Sequence, residues 1–175
     1  NSSGTKSGWK NREKSYSVPV VRTYKKEVPR EEYLLVDGYN IIFAWDELKE
    51  LAEHTIDGAR GKLLDILCNY QGMKKCRLIA VFDAYRVQGH VTECLDYHNI
   101  RVVYTKEAET ADQYIEKFAH ENGRKYDVTV ATSDHLEQII IHGQGCRLIS
   151  ARELKEEISR LSETVHQEYQ EKKTG

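Results

Sequence analysis

The sequence predicts an α/β fold built on a central, mainly parallel sheet of five strands. Three observations carry that expectation: five short aliphatic or β-branched runs, amphipathic segments of helical length between them, and no internal repeat or low-complexity tract. The runs are Tyr33–Val36, Arg77–Phe82, Arg101–Tyr104, Val128–Ala131 and Arg147–Ile149, each too short to be a helix. The helical patterns are Trp45–Glu53, Gly58–Tyr70, Val91–His98, Ala111–Asn122, Asp134–His142 and Ala151–Gln167. Strands that alternate with helices run parallel, with helices covering both faces of the sheet.

Local signals support the individual elements. Leu63, Leu64, Leu67 and Tyr70 share one face of the second helical pattern, as a core-facing helix requires. Thr110–Ala–Asp–Gln113 and Ser150–Ala–Arg–Glu153 are capping-box patterns and fix two helix starts. Gly123 and Gly143 sit where helix stops are expected. Leu154, Ile158, Leu161 and Val165 recur at helical spacing in the last segment, which is expected to pack on the sheet. Residues 1–31 are polar and hold both prolines, Pro19 and Pro29; they read as a basic linker with one extended stretch at Tyr16–Tyr24, leaving 32–175 as the domain.

Composition narrows the function classes. With 39% hydrophobic and 31% charged residues, the chain reads as globular, and no apolar run approaches the roughly 20 residues of a membrane span. The N-terminus lacks the apolar core of a secretory signal, so the expected location is cytoplasmic. The four cysteines (Cys68, Cys76, Cys94, Cys146) form no CxxC pair, which fits reduced thiols; Cys94 and His98, at helical spacing, are a weak zinc alternative. Residues 1–30 carry eight Lys/Arg and two Glu, so a net charge of −2 for the whole chain leaves −8 on residues 31–175. An acidic domain is a poor partner for phosphates unless its acids bind cations.

In a parallel sheet the working residues gather beyond the carboxyl ends of the strands. There the sequence places Asp37 after the first strand, Asp83 after the second, and Ser133 and Asp134 after the fourth; Glu109 and Asp112 sit at a helix entry. Carboxylates that converge repel one another unless a cation joins them, and oxygen ligands suit Mg²⁺ or Mn²⁺. Such an ion activates water for attack on phosphorus, so no nucleophilic side chain is needed. Each acid also has a structural account: Asp37–Gly38 is a turn dipeptide, Asp83 ends a strand, and Asp112 and Asp134 suit helix N-termini.

The stretch Tyr33–Leu–Leu–Val–Asp–Gly–Tyr–Asn–Ile–Ile42 resembles the opening strand of the YacP-like branch of NYN domains, which belong to the PIN-like nucleases. Four later blocks agree in order: Val81–Ala84, Glu109–Glu116, Ala131–Gln138 and Ile149–Leu154. The resemblance covers about residues 33–170 and implies a PIN-like three-layer sandwich and a metal-dependent endoribonuclease. It implies Asp37, Asp83, Asp112 and Asp134 as catalytic and metal-binding acids, with Glu109 adding to the metal pocket. Asn40, Arg86, Ser133 and Tyr39 follow as substrate-binding groups. Asn40 also reads as a turn former, and Tyr39 equally as core; Tyr85 is a further candidate for stacking on a base. The implied partners are messenger RNA or other ribosome-associated RNA. The basic leader and the missing initiating Met also suit a domain fused to a translation-factor GTPase that resembles tetracycline-resistance ribosomal protection proteins.

Among the basic residues of the domain, Arg60, Lys62, Lys74, Lys75, Arg101 and Lys106 join Arg86 as possible RNA contacts. Three rival readings remain. A non-catalytic RNA-binding or ribosome-docking module would keep the shell without the chemistry. A phosphorylated-aspartate receiver would want a lysine after its late strand, and Arg147–Ser150 supplies none. DNA cleavage ranks below RNA cleavage because no helical arch or helix-hairpin-helix insertion is evident.

Overall fold

The computed structural model describes residues 29–84, 93–106 and 108–174. Six strands form one sheet: β1 (Glu32–Asp37), β2 (Arg77–Phe82), β3 (Glu93–Tyr97), β4 (Ile100–Tyr104), β5 (Asp127–Ala131) and β6 (Arg147–Ile149). Their order is β3-β4-β2-β1-β5-β6, and every neighbouring pair is parallel except β3 with β4. The helices are α1 (Gly38–Ala44), α2 (Asp46–His54), α3 (Ile56–Lys74), α4 (Ala111–Asn122), α5 (His135–His142) and α6 (Ala151–Thr174).

The period-two alternation of the strands divides the core into two layers. Leu34, Val36, Leu78, Ala80, Phe82 and Val102 face one side, where they pack with Leu48 of α2, Leu63 and Leu67 of α3 and Leu154 of α6. Leu35, Ile79, Val81, Val103, Val128 and Val130 face the other, against Ala111, Ile115 and Ala119 of α4 and Ile141 of α5. Helices thus cover both faces, in the three layers expected. Followed one residue further, the same alternation turns Asp37, Asp83 and Thr132 toward the α4 and α5 face.

Both capping boxes are formed. Thr110 Oγ1 accepts from the Gln113 N–H while Gln113 Oε1 accepts from the Thr110 N–H. Ser150 and Glu153 exchange the same pair of bonds at the start of α6. Gly38 follows Asp37 for a packing reason: a Cβ there would overlap the Phe82 ring.

The sheet has one strand more than expected. Residues 93–97, read as part of a helix over Val91–His98, pair with β4 as an antiparallel edge strand. Two-residue turn chemistry explains it: His98 takes a left-handed φ of 52° beside Asn99. Four bonds fix the hairpin to α3: the Tyr97 hydroxyl to Asp65 Oδ1 (2.8 Å), Asn99 Nδ2 to the Cys68 carbonyl (2.9 Å) and to Gln71 Oε1 (2.5 Å), and Cys68 Sγ to the Tyr97 carbonyl (3.5 Å). Cys94 and His98 therefore lose the helical spacing on which a shared zinc depended. Helix α1 was not foreseen, and α6 runs on to Thr174. Leu154 of α6 is buried, but Val165 is exposed rather than packed on the sheet. Cys76 and Cys146 are buried, Cys94 is exposed, and all four thiols are free. Among the described residues no helix is long and apolar enough to cross a membrane. The leader's extended stretch, Tyr85 and Arg86 lie outside the described residues.

Candidate metal centre

Strand order reverses between β1 and β5: the chain leaves β1 toward β2 and β4, then crosses back through α4 to β5. At that switch point Asp37 ends β1. It occupies the position before α1, yet its side chain makes no capping bond to that helix. Instead Oδ2 accepts from Thr132 Oγ1 at 3.1 Å, across the β1–β5 gap. Asp37 is only 5% exposed.

Two more carboxylates meet it. Asp112, near the start of α4, and Glu137, in the first turn of α5, each place an oxygen within 4.8 Å of one another and of Asp37. Glu137 is 3% exposed, and no N–H or O–H reaches either of its oxygens. Burial of a carboxylate without a donor costs several kcal/mol. That cost appears as proton affinity. Burial raises Glu137 far above its ordinary value, past neutral pH, and the Asp112 and Asp37 carboxyls push the same way. Burial also raises Asp37, to about 6, with Asp112 and Asp83 adding repulsion and the bonds from Glu137 and Thr132 opposing it.

The other expected site residues stand around this group. Asp83 Oδ1 accepts the Ala111 N–H, the first of α4, at 2.6 Å, and its charge is felt at Asp37. Asp134 caps α5, its Oδ1 accepting from the N–H groups of Leu136 (3.0 Å) and Glu137 (3.4 Å). Asn40 Oδ1 accepts the Ser133 N–H at 2.7 Å and so ties α1 to the segment after β5. Ser133, expected among the substrate-binding groups, has its Oγ accepting the Ala151 N–H of α6 at 2.9 Å. Glu109 sits in the loop before α4, where its N–H donates to the Lys106 carbonyl, and it is outside the three-carboxylate group.

Tyr39 belongs to the core rather than to a base-stacking surface. Its ring is buried edge-on against Phe82, with centroids 5.1 Å apart, and its hydroxyl accepts from Arg60 Nη1. That bond, together with a pairing to Asp57, holds Arg60 on the opposite face of the sheet from the acids. Lys74 and Arg101 are paired with Glu32 and Asp96.

Glu137 and Thr132 are the members of this candidate centre that sequence reasoning passed over. Both lie inside the Ala131–Gln138 block. A usable signal existed in the i,i+4 spacing of Glu137 and Ile141, which puts a carboxylate on the buried stripe of a helix that leaves a strand end. The three isoleucines of α5 masked it.

The centre tests whether an ion fits. Three oxygen-donor side chains, one of them buried and unpartnered, form the donor set of a hard cation such as Mg²⁺ or Mn²⁺, not of a thiophilic metal. They fit.

Comparison with known proteins agrees with the fold. The family model described as "YacP-like NYN domain" matches residues 34–175. A Bacillus subtilis (strain 168) relative, "Uncharacterized protein YacP", is 42% identical over 135 residues, 77% of this chain and 79% of its own length. The crystal structure of Rae1 (YacP) from Bacillus subtilis superposes with a TM-score of 0.69 at 40% identity, over 81% of this chain and 82% of that one. A tryptophan-to-leucine variant of the same protein gives a TM-score of 0.71 at 38% identity, over 82% and 84%.

Proposed function

The chain belongs to the YacP-like NYN domain family, a nuclease-like, RNA-related group, and from that premise we propose that it is a divalent-cation-dependent endoribonuclease. The observation that carries the proposal is Glu137, buried, without a donor, and within 4.8 Å of Asp37 and Asp112. These three side chains would hold Mg²⁺ or Mn²⁺. Bound there, such an ion supplies charge neutralisation at a phosphate and a water acidic enough to attack it.

The chain's own residues prepare the rest. Thr132 fixes the orientation of Asp37 by donating to one of its oxygens. Asn40 holds the β5–α5 segment in place through the Ser133 N–H. Packing of α4 and α5 on the sheet keeps bulk water from the Glu137 carboxylate, so its field is weakly screened. Lys106, exposed in the loop after β4, would offer a cation to an RNA backbone.

The test is cleavage of a labelled RNA with EDTA, Mg²⁺ or Mn²⁺, by the wild type and by Asp37→Asn and Glu137→Gln. Outer-sphere changes at metal sites cost 10–100-fold, so loss of either ligand is expected to cost at least about 100-fold. Cleavage that survives chelation would overturn the reading. RNA binding with no cleavage under any ion would return the non-catalytic module. A ribosome-bound substrate in the cytoplasm is the finer form of the proposal, and cleavage of one message free and on translating ribosomes tests it.

A further inference from the structure

Five acids surround the switch point, yet the structure uses them in two different ways. Asp37, Asp112 and Glu137 converge on one another. Asp83 and Asp134 each spend an oxygen on a helix N-terminus, one at the residue before a member of the trio and the other at a member itself. Asp83 binds the N–H of Ala111, the residue before Asp112. Asp134 binds the N–H of Glu137 itself, together with that of Leu136. The backbone of Asp134 reaches the third member: its N–H donates to Thr132 Oγ1 at 3.1 Å, and that hydroxyl donates to Asp37.

Resting on the metal-centre reading above, we infer that Asp83 and Asp134 are positioning residues, which place the ligands Asp112 and Glu137 by clamping the first turns of α4 and α5. The chemistry of the bonds supports the division. A carboxylate oxygen at 2.6 Å from a peptide N–H is a short, charge-assisted bond, and such bonds are strong enough to fix a helix start. A negative side chain also suits the positive end of a helix. The two clamps act with the Thr110–Gln113 capping box and the Gln138–Thr132 tether to hold these first turns where Asp112 lies against a buried Asp37 that its charge repels.

Amide substitution separates the two roles. Asparagine caps a helix about as well as aspartate, since its carbonyl oxygen accepts the same backbone N–H. It brings no charge to a cation. The experiment measures Mn²⁺ binding to the full chain by calorimetry, with the thermal midpoint recorded for each variant. Asp83→Asn and Asp134→Asn are expected to bind Mn²⁺ within about threefold of wild type, because the caps persist. Asp83→Ala and Asp134→Ala are expected to weaken it roughly 10–100-fold, as loss of supporting partners does at other metal sites. Asp37→Asn, Asp112→Asn and Glu137→Gln are expected to abolish it.

An amide variant at 83 or 134 that keeps its thermal midpoint but loses Mn²⁺ as Asp37→Asn does would make that residue a ligand and overturn the inference. Alanine variants that bind like wild type would overturn it as well. If Asp37→Asn, Asp112→Asn and Glu137→Gln all retained Mn²⁺, the centre itself would be misassigned, which is a distinct failure.

Discussion

A glutamate removed from water, with no donor to its oxygens and two carboxyls beside it, must hold either a proton or a cation. In the metal-free protein it holds the proton: burial and the neighbouring Asp112 and Asp37 carboxyls keep Glu137 protonated past neutral pH. The folded protein therefore binds that proton more tightly than the unfolded chain, whose glutamate titrates near 4.3. Stability contributed this way is present below the unfolded value and is lost as pH rises. Asp37, raised to about 6, acts in the same direction over a narrower window, from about 3.9 to 6. Each proton is worth about 1.4 kcal/mol per pH unit inside its window. Glutamine mimics the protonated form at every pH, so Glu137→Gln is expected to match wild-type stability at pH 4, below the unfolded value. Without divalent ions it should exceed wild type by a margin that grows toward pH 8. Added Mn²⁺ should reverse the order at pH 8 by stabilising only the wild type. Urea denaturation of both proteins at three pH values checks this, and parallel curves would mean that Glu137 is not protonated in the fold.

Helix α5 is turned against its composition. Glu137 and Ile141 face inward, while Leu136 and Ile139 are 69% and 72% exposed and Ile140 is also exposed. Tethers at the N-terminal end set this rotation: Asp134 caps the first turn, and Gln138 Nε2 donates to the Thr132 carbonyl at 2.7 Å. Leu136→Lys and Ile139→Lys are accordingly expected to change stability by no more than about 0.5 kcal/mol, whereas Ile141→Ala should cost about 2–5 kcal/mol. Chemical denaturation of the three variants distinguishes this from the orientation that hydrophobicity alone suggests, in which Leu136→Lys and Ile139→Lys would be the severe ones. The same contrast explains what the sequence made legible. Thr110/Gln113 and Ser150/Glu153 announce α4 and α6 because a capping box is a local pattern with a local cause. Strand β3 depends on a left-handed His98 and on partners in α3, and the burial of Glu137 depends on distant tethers, so neither leaves a local trace. Asp37 was readable as a candidate from its place at a strand end, where it meets Asp112 and Glu137. What distinguishes Asp112 from Asp83 and Asp134 is a matter of where each oxygen points, which spacing does not encode.

The two core layers share one sheet but serve different ends. The layer of α1, α2, α3 and α6 holds the larger cluster, from Trp45 and Leu48 through Leu63, Leu67 and Tyr70 to Leu154. The layer of α4 and α5 is smaller, and its helices carry Asp112 and Glu137. Stability and ion affinity should therefore respond separately to damage. Leu67→Ala and Ile115→Ala each delete a fully buried aliphatic side chain, and each is expected to cost about 2–5 kcal/mol. Leu67 lies on α3, across the sheet from the acids and with no shared partner among them. Its loss should leave Mn²⁺ affinity within about twofold of wild type, as additivity between separated sites predicts. Ile115 stands one helical turn from Asp112, and its side chain seats α4 on Leu35, Val81 and Val130 of the strands beneath the centre. A cavity there lets the first turn of α4 shift, and a shift of that turn moves Asp112 relative to Asp37. Ile115→Ala should thus weaken Mn²⁺ binding by roughly tenfold at the same cost in stability, comparable with loss of a supporting contact at a metal site. Calorimetric titration below the unfolding temperature of both variants decides the matter: equal affinities would mean that the centre is held by its caps alone, independently of the layer on which its helices rest.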